Sequence, residues 1–422
     1  MNLKQRKHWA VFINNKSNKA NLIDSLLHGV PPNGFEALRG LRGALFSKLE
    51  VYRFMDEEER HDKKIIARDT SQSLKSMSSG EQKKVLLKHL LNTNPDFLIL
   101  DNPFDNLDAD AQNDLSRSLR TISEHICIVQ IISRKKDVLP FITDFMRLEG
   151  SSIFHHENTE TPDYLLTEDS TTFTASIPLP LEPFNYDKAI LIALKDVSVS
   201  YGDRPILNSI NWEIRPHEFW QLIGKNGSGK TTLLSMITGE NSKGYGQELY
   251  IFGQKKGSGE SIWDIKQRLG YFTPAMTDKF SGYHTLEHML ISGLHDSVGL
   301  YVKPTAAEFR LAKEWLQLIR MWELRDSYFH DLSMGQQRLV MTVRAMIKHP
   351  LLLILDEPTA GLDDESAVLF VALVNQIAQE SNTAIVFVSH RMEKGLRPDF
   401  IYELQLGETG STGKIIKQKK SH

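Results

Sequence analysis

The most constraining stretch of this chain is Gly224-Lys225-Asn226-Gly227-Ser228-Gly229-Lys230-Thr231, which reads G-x-x-x-x-G-K-T. The run before it, Phe219-Trp220-Gln221-Leu222-Ile223, is apolar enough for a buried strand, and Leu233, Leu234 and Ile237 follow at helical spacing up to Gly239. A strand, a glycine loop and a helix in that order form a phosphate cradle. Its glycines let backbone N–H groups close on phosphate, the helix N-terminus adds its positive end, and Lys230 supplies a full charge. Thr231 is placed to give its hydroxyl to Mg²⁺, and Thr232 continues the helix start. A chain of this length matches those four fixed positions by chance only about one or two times in a hundred.

The 422 residues allow two or three domains with ample core. Lys plus Arg is 50 against 53 Asp plus Glu, a net charge of -3, so no global basic field points to nucleic acid. The single cysteine, Cys127, excludes a disulfide framework and fits a reducing cytosol. Apolar runs such as Leu351 to Leu355 fall far short of the roughly 20 residues of a membrane span. A cytoplasmic location is expected.

An internal repeat sets the architecture. Trp9 to Ala20 lies without a gap over Trp220 to Thr231 at an offset of 211, matching Trp9 to Trp220, Ser17 to Ser228 and Lys19 to Lys230. The cradle glycines are replaced by Ile13, Lys16 and Asn18, and Thr231 by Ala20. Further on, Met77-Ser78-Ser79-Gly80-Glu81-Gln82 and Phe97 to Pro103 correspond to Leu332-Ser333-Met334-Gly335-Gln336-Gln337 and Leu352 to Pro358, now at an offset of 255. The first copy therefore lacks 44 residues between its lysine and its serine. Residues 281 to 332, with Leu311, Trp315, Leu318 and Ile319 at helical spacing, are the expected source of that difference. Leu191 to Trp212 alternate apolar and polar residues around turn signals at Gly202-Asp203 and Pro205, which predicts a small antiparallel sheet with no room for an equivalent in the first copy.

These ordered motifs resemble the ATP-binding cassette (ABC) ATPases over nearly the whole chain, in the soluble tandem-domain ModF/PhrA type with a degenerate first domain. The resemblance implies an α/β fold of two tandem P-loop domains, each a mainly parallel sheet with flanking helices, the first truncated. The expected domains are residues 1–150 and 188–422, joined by a linker at 151–187 where Thr167 to Pro183 is dense in Ser, Thr and Pro. His155-His156 read there as polar loop residues rather than a ligand pair, and the basic stretch Lys414 to Lys420 as a short solvated tail.

For ATP and Mg²⁺ the resemblance implies Tyr201 as adenine platform, Gly224 to Thr232 as phosphate loop, Thr231 and Asp356 as metal positions, Glu357 as catalytic base or water-orienting carboxylate, and His390 as the γ-phosphate contact. In that family each nucleotide is closed over by the signature of the opposite domain, which within the chain brings Ser78, Gly80 and Glu81 to the ATP held by Lys230; a homodimer pairing second copy with second copy would place Ser333 and Gly335 there instead. The partner site, with Lys19, Ala20, Asn102 in place of Glu357 and Arg134 in place of His390, is expected to turn over no nucleotide. Two other readings are a transporter subunit and a nonmembrane regulator of ribosomes or nucleic acid, each with an unidentified membrane or macromolecular partner. Thr273-Pro274, where transport-coupled ABC domains carry a glutamine, opposes the first. The acidic, proline-containing linker opposes the second.

Overall fold

A computed structural model describes residues 6–14, 17–61, 64–66, 72–105, 107–156, 173–280, 284–390 and 392–417. Asn15 and Lys16 of the degenerate loop, Asn106, Thr167 to Thr172 of the expected linker, residues 281–283 and Gln418 to Lys420 lie outside them. The chain divides into two units, residues 1–165 with 361–364, and 166–360 with 365–422.

The first unit holds β1 (Trp9–Ile13), α1 (Lys19–Leu27), β2 (Gly43–Phe46), α2 (Lys48–His61), α3 (Ser79–Asn92), β3 (Phe97–Asp101), α4 (Ala109–Ser123), β4 (Cys127–Ile132), β5 (Asp144–Glu149) and β6 (Ser152–His156). Its sheet has the order β2-β3-β4-β1-β5-β6, parallel except for the antiparallel edge β5–β6. A parallel sheet covered on both faces demands continuous apolar strands. Phe97-Leu98-Ile99-Leu100 answers this: Leu98 and Leu100 join a core with Phe54, Leu86 and Leu119, while Phe97 and Ile99 join Trp9, Leu22 and Leu26 on the other face. Each such side chain contributes about 1.5–3 kcal/mol by leaving water.

The second unit repeats the order with β12-β13-β14-β9-β15-β16. It contains β7 (Ile192–Tyr201), β8 (Arg204–Ile214), β9 (Phe219–Gly224), α5 (Lys230–Ile237), β10 (Leu249–Ile251), β11 (Gln254–Lys255), α6 (Ile262–Arg268), β12 (Leu269–Phe272), α7 (Leu286–Leu294), α8 (Ala306–Leu318), α9 (Met334–Met346), β13 (Leu352–Asp356), α10 (Asp364–Glu380), β14 (Ala384–Ser389), β15 (Phe400–Gln405) and β16 (Thr412–Lys417). The expected antiparallel sheet is present as β11-β10-β7-β8, and among the described residues only this unit has one. Aromatic contacts join it to the main sheet: the ring of Trp212 of β8 stacks 4.5 Å from that of Tyr402 of β15 and stands edge-on 5.6 Å from that of Trp220 of β9. In the first unit Trp9 packs instead on Phe35 and donates its indole N–H to Gly34 O at 3.1 Å.

Three expectations need correction. The 44 missing residues do not all come from the helical region. Counterparts differ by 226 at Gly43 and Leu269, which pair with Phe97 and Leu352, so 15 residues are absent before the edge strand and 29 after it. The first loss removes the room that β10, β11 and α6 occupy, and the second leaves one helix, α2, where the second unit has α7 and α8. The linker is also shorter than 151–187. β6 claims residues 152–156, so His155 and His156 are strand residues paired with Met146 and Phe145. At its other end, Ile177 is buried, its N–H donates to Glu380 Oε2 at 2.9 Å, and Gln376 Nε2 donates to Ala175 O at 2.7 Å, which binds this segment to α10. Finally, Lys414 and Lys417 belong to β16, not to a free tail.

Gly270 lies on β12 where α9 crosses, and a Cβ there would sit 2.5 Å from the Ala345 carbonyl oxygen. Backbone cannot move aside as a side-chain tip can, so Gly270→Ala should cost about 1–3 kcal/mol. Chemical denaturation followed by tryptophan fluorescence, all six tryptophans but Trp9 lying in the second unit, measures the shift in midpoint.

Candidate active site at the end of the central strands

The glycine loop links β9 to α5 because two of its positions admit no side chain. Gly229, the residue before α5, has φ 88° and a Cβ there would meet Leu207 at 2.7 Å. On Gly224 a Cβ would meet Ser228 Oγ at 2.5 Å and Leu404 O at 3.0 Å. Gly227, with φ 78°, faces open space. Lys225 and Thr231 are exposed, Asn226 and Thr232 half-buried, while Lys230 and Ser228 are buried. No side chain caps α5, so its first-turn N–H groups are left to a ligand. Ser228 Oγ is buried without a hydrogen-bond partner.

Lys230 and the carboxylates converge. Its Nζ donates to Gly224 O at 2.7 Å and lies 3.2 Å from His390 Nδ1. His390 Nε2 in turn meets Glu357 Oε1 at 2.8 Å. Asp356 ends β13 and Glu357 turns away from it with φ 51°, a left-handed conformation that is strained for glutamate. His390 directly follows β14, the neighbour of both β13 and β9, so parallel register delivers lysine, acids and imidazole to one sheet edge. Burial raises the pKa of Asp356 to about 6, with the adjacent Glu357 charge adding to the effect. Burial also works upward on Glu357, but the His390 hydrogen bond and charge, with Lys230, hold its net pKa below the usual carboxylate value. Two carboxylates at such a site fit a divalent cation. Thr231 and Asp356 would hold Mg²⁺, which when bound neutralises phosphate charge.

Two contributors were not foreseen. Tyr271 on β12 lies within electrostatic reach of the Asp356 carboxylate, and its hydroxyl pKa is pushed up by burial and by that acid. Gln221 Nε2, inside β9, donates to Ser389 Oγ at 2.9 Å and pins the strand before His390. The only sequence signal for either is a polar residue inside an apolar run. Tyr201 ends β7 and is 46% exposed.

The first unit shows the same places with different chemistry. Lys19 makes a two-pronged salt bridge to Asp101, at 3.0 and 2.9 Å, and Ser17 Oγ bonds Asn14 and Leu148 O, so side chains close the loop where glycines open it in the second unit. Strand register corrects one assignment: Asp101 pairs with Ile131 and Asp356 with Val388, so the counterpart of His390 is Ser133 rather than Arg134. Asn102, with φ 43°, accepts from Ser133 N and Oγ at 3.1 and 3.3 Å, a neutral version of the Glu357–His390 pair.

Ser78 and Ser333 occupy matching helix starts. Ser78 Oγ accepts from Glu81 N at 3.3 Å while Glu81 Oε2 takes Ser78 N–H and hydroxyl at 2.8 Å each, which lowers the Glu81 pKa. Ser333 and Gln336 form the same reciprocal cap with an uncharged amide. Gly80 follows Ser79 in the first turn of α3, and a Cβ there would touch only Ala111 at 3.5 Å and Leu107 at 3.9 Å.

The profile described as ABC transporter matches residues 207–360. The ABC transporter ATP-binding protein ModF of Escherichia coli is 36% identical over 332 residues, 76% of this chain and 67% of that protein. An uncharacterized ABC transporter ATP-binding protein of Schizosaccharomyces pombe is 31% identical over 75% of this chain and 66% of its own length. The chain thus spans about two thirds of these relatives. Among solved structures, archaeal ribosome recycling factor aABCE1, in complex with ribosomal stalk protein aP1, aligns with 96% of this chain and 85% of its own, with TM-score 0.61 and 17% identity, a likeness of fold.

The Asp356 shift predicts a pH signature. A carboxyl whose folded pKa, about 6, exceeds its unfolded value of 3.8 destabilises the fold when ionised. The effect is absent below about pH 4 and complete above about pH 6. Asp356→Asn should therefore stabilise the nucleotide-free protein at pH 7.5 by up to about 3 kcal/mol and leave it unchanged near pH 4. Thermal midpoints of both proteins across that range provide the check.

Proposed function

The chain belongs to the ABC family of ATPases, and from that premise we propose that it turns over ATP at one working site, in its second domain. The observation that carries this reading is the contrast between the two loops: open glycines with Lys230 beside Glu357 and His390 in one, a Lys19–Asp101 bridge beside the neutral Asn102–Ser133 pair in the other. In the working site Lys230 and the loop N–H groups hold the β- and γ-phosphates. Glu357, kept ionised by His390, accepts the proton of the attacking water, and His390 contacts the γ-phosphate. The nucleobase stacks on Tyr201. The first domain supplies Ser78, Gly80 and Glu81 to this nucleotide when the domains close, and holds no nucleotide that it hydrolyses. Phe272-Thr273-Pro274, without the coupling glutamine, disfavours a transporter subunit as the use of this cycle.

Titration with a labelled ATP analogue should give one tight site, abolished by Lys230→Ala and little changed by Lys19→Ala. Two equal sites would sink the single-site reading. In steady state Glu357→Gln should slow hydrolysis at least ~10²-fold with binding retained, because a carboxamide cannot accept the proton, while Asn102→Ala leaves turnover nearly intact.

Which signature serves Lys230 is decided by Gly80→Asp and Gly335→Asp, both first checked for an unchanged thermal midpoint. Acid at Gly80 should repel the γ-phosphate and reduce turnover strongly with ATP still bound. The same change at Gly335 should cost far less. The reverse ranking would mean that two chains pair second domain with second domain.

A further inference from the structure

Tyr201 is a large aromatic side chain almost half exposed, yet it is held in place. Asn241 Nδ2 donates to its hydroxyl at 2.8 Å and to Ser235 Oγ at 3.0 Å. Ser235 Oγ passes the chain on, donating to Thr232 O at 2.9 Å. The orientation of the Asn241 amide is not arbitrary: Oδ1 accepts from Lys243 N at 3.0 Å, and a backbone N–H can only donate, so the NH₂ end must face Tyr201 and Ser235. Asn241 itself is fixed by its backbone N–H, which reaches Ser235 O at 3.0 Å past the end of α5. On the ring, Lys243 Nζ stands 5.5 Å from the centroid and covers one face.

We propose that Asn241 is a positioning residue for the nucleobase. It ties the Tyr201 platform to the same helix that begins with Lys230, so α5 sets the span between the base and phosphate ends of one nucleotide. The inference deepens the reading of an ATP site at Lys230 and rests on it. Lys230 and Ser235 are five residues apart on a rigid helix, roughly 7–8 Å along its axis. A hydrogen-bond chain from Thr232 O through Ser235 and Asn241 to the phenol transmits that fixed length to the ring. Lys243 leaves the opposite ring face for stacking, so an incoming base meets a surface already oriented and loses less rotational freedom on binding.

The test separates base from phosphate. Calorimetric titrations with MgATP and with inorganic tripolyphosphate, which lacks a base, are made on the full chain and on Asn241→Ala. ATP should bind roughly 3–10-fold more weakly to the variant, with tripolyphosphate within twofold of the parent. In steady state KM for ATP should rise by the same factor with kcat unchanged. Tyr201→Phe, which keeps the ring and removes the tethered hydroxyl, should reproduce the loss, and the double variant should be no weaker than either single one. Unchanged ATP affinity, an equal loss for tripolyphosphate, or additive losses in the double variant would each overturn the proposal. Lys230→Ala is the control for the underlying reading: if both ligands still bind it normally, ATP does not sit at Lys230 and that reading fails first.

Discussion

The structure of the second domain turns on the cost of ending one buried strand with two adjacent acids. Asp356 and Glu357 sit where the sheet gives little water, and like charges so close resist joint ionisation. The fold answers with groups from three other strands or their loops: Lys230 after β9, His390 after β14 and Tyr271 from β12. The parallel order places all of these at the carboxyl ends of neighbouring strands, the end where open α/β sheets bind ligands. The same crowding of negative charge fits the site to a divalent cation.

The first domain has resolved this problem by removing it. One acid remains, Asp101, and Lys19 neutralises it directly. Such a half-exposed bridge contributes at most about 1 kcal/mol, so the gain lies less in the bridge than in no longer having to hold a second buried charge. The scaffold is retained: strand order is the same, the apolar strand residues of the first domain line a core on each face of the sheet, and the helix that begins after Ser78 keeps its reciprocal cap. Loop length is thermodynamically cheap and sheet order is not, which is why 44 residues can vanish without a strand of the main sheet being lost.

Much of this was legible in the sequence because the informative residues are local. The glycine loop, the apolar strand ending in Asp356-Glu357 and the antiparallel strands around Gly202 are all short-range patterns, and the repeat is a match between such patterns. What escaped was set by pairing at a distance. The Ser133 counterpart of His390 needed strand register, since one residue of slip in the count after β4 pointed to Arg134. The 15 residues lost before β2 were invisible between two anchors whose offsets gave only the total. Tyr271 and Gln221 looked like interruptions of apolar strands, and only the neighbouring strand shows what each one faces. Residues 152–156 read as linker because β6 is short and polar, as edge strands tend to be.

The turn after the acidic strand end adds a direction to the difference between the halves. Glu357 and Asn102 both have positive φ, 51° and 43°, but asparagine tolerates that region several-fold more often than most residues. Glutamate there stores backbone strain that only a task at the site justifies. Once the first half no longer needs a carboxylate, exchange to asparagine runs downhill in backbone energy as well as in charge. The return path climbs on both counts, so the difference between the two turns behaves as a ratchet: glutamate gives way to asparagine here far more easily than the reverse.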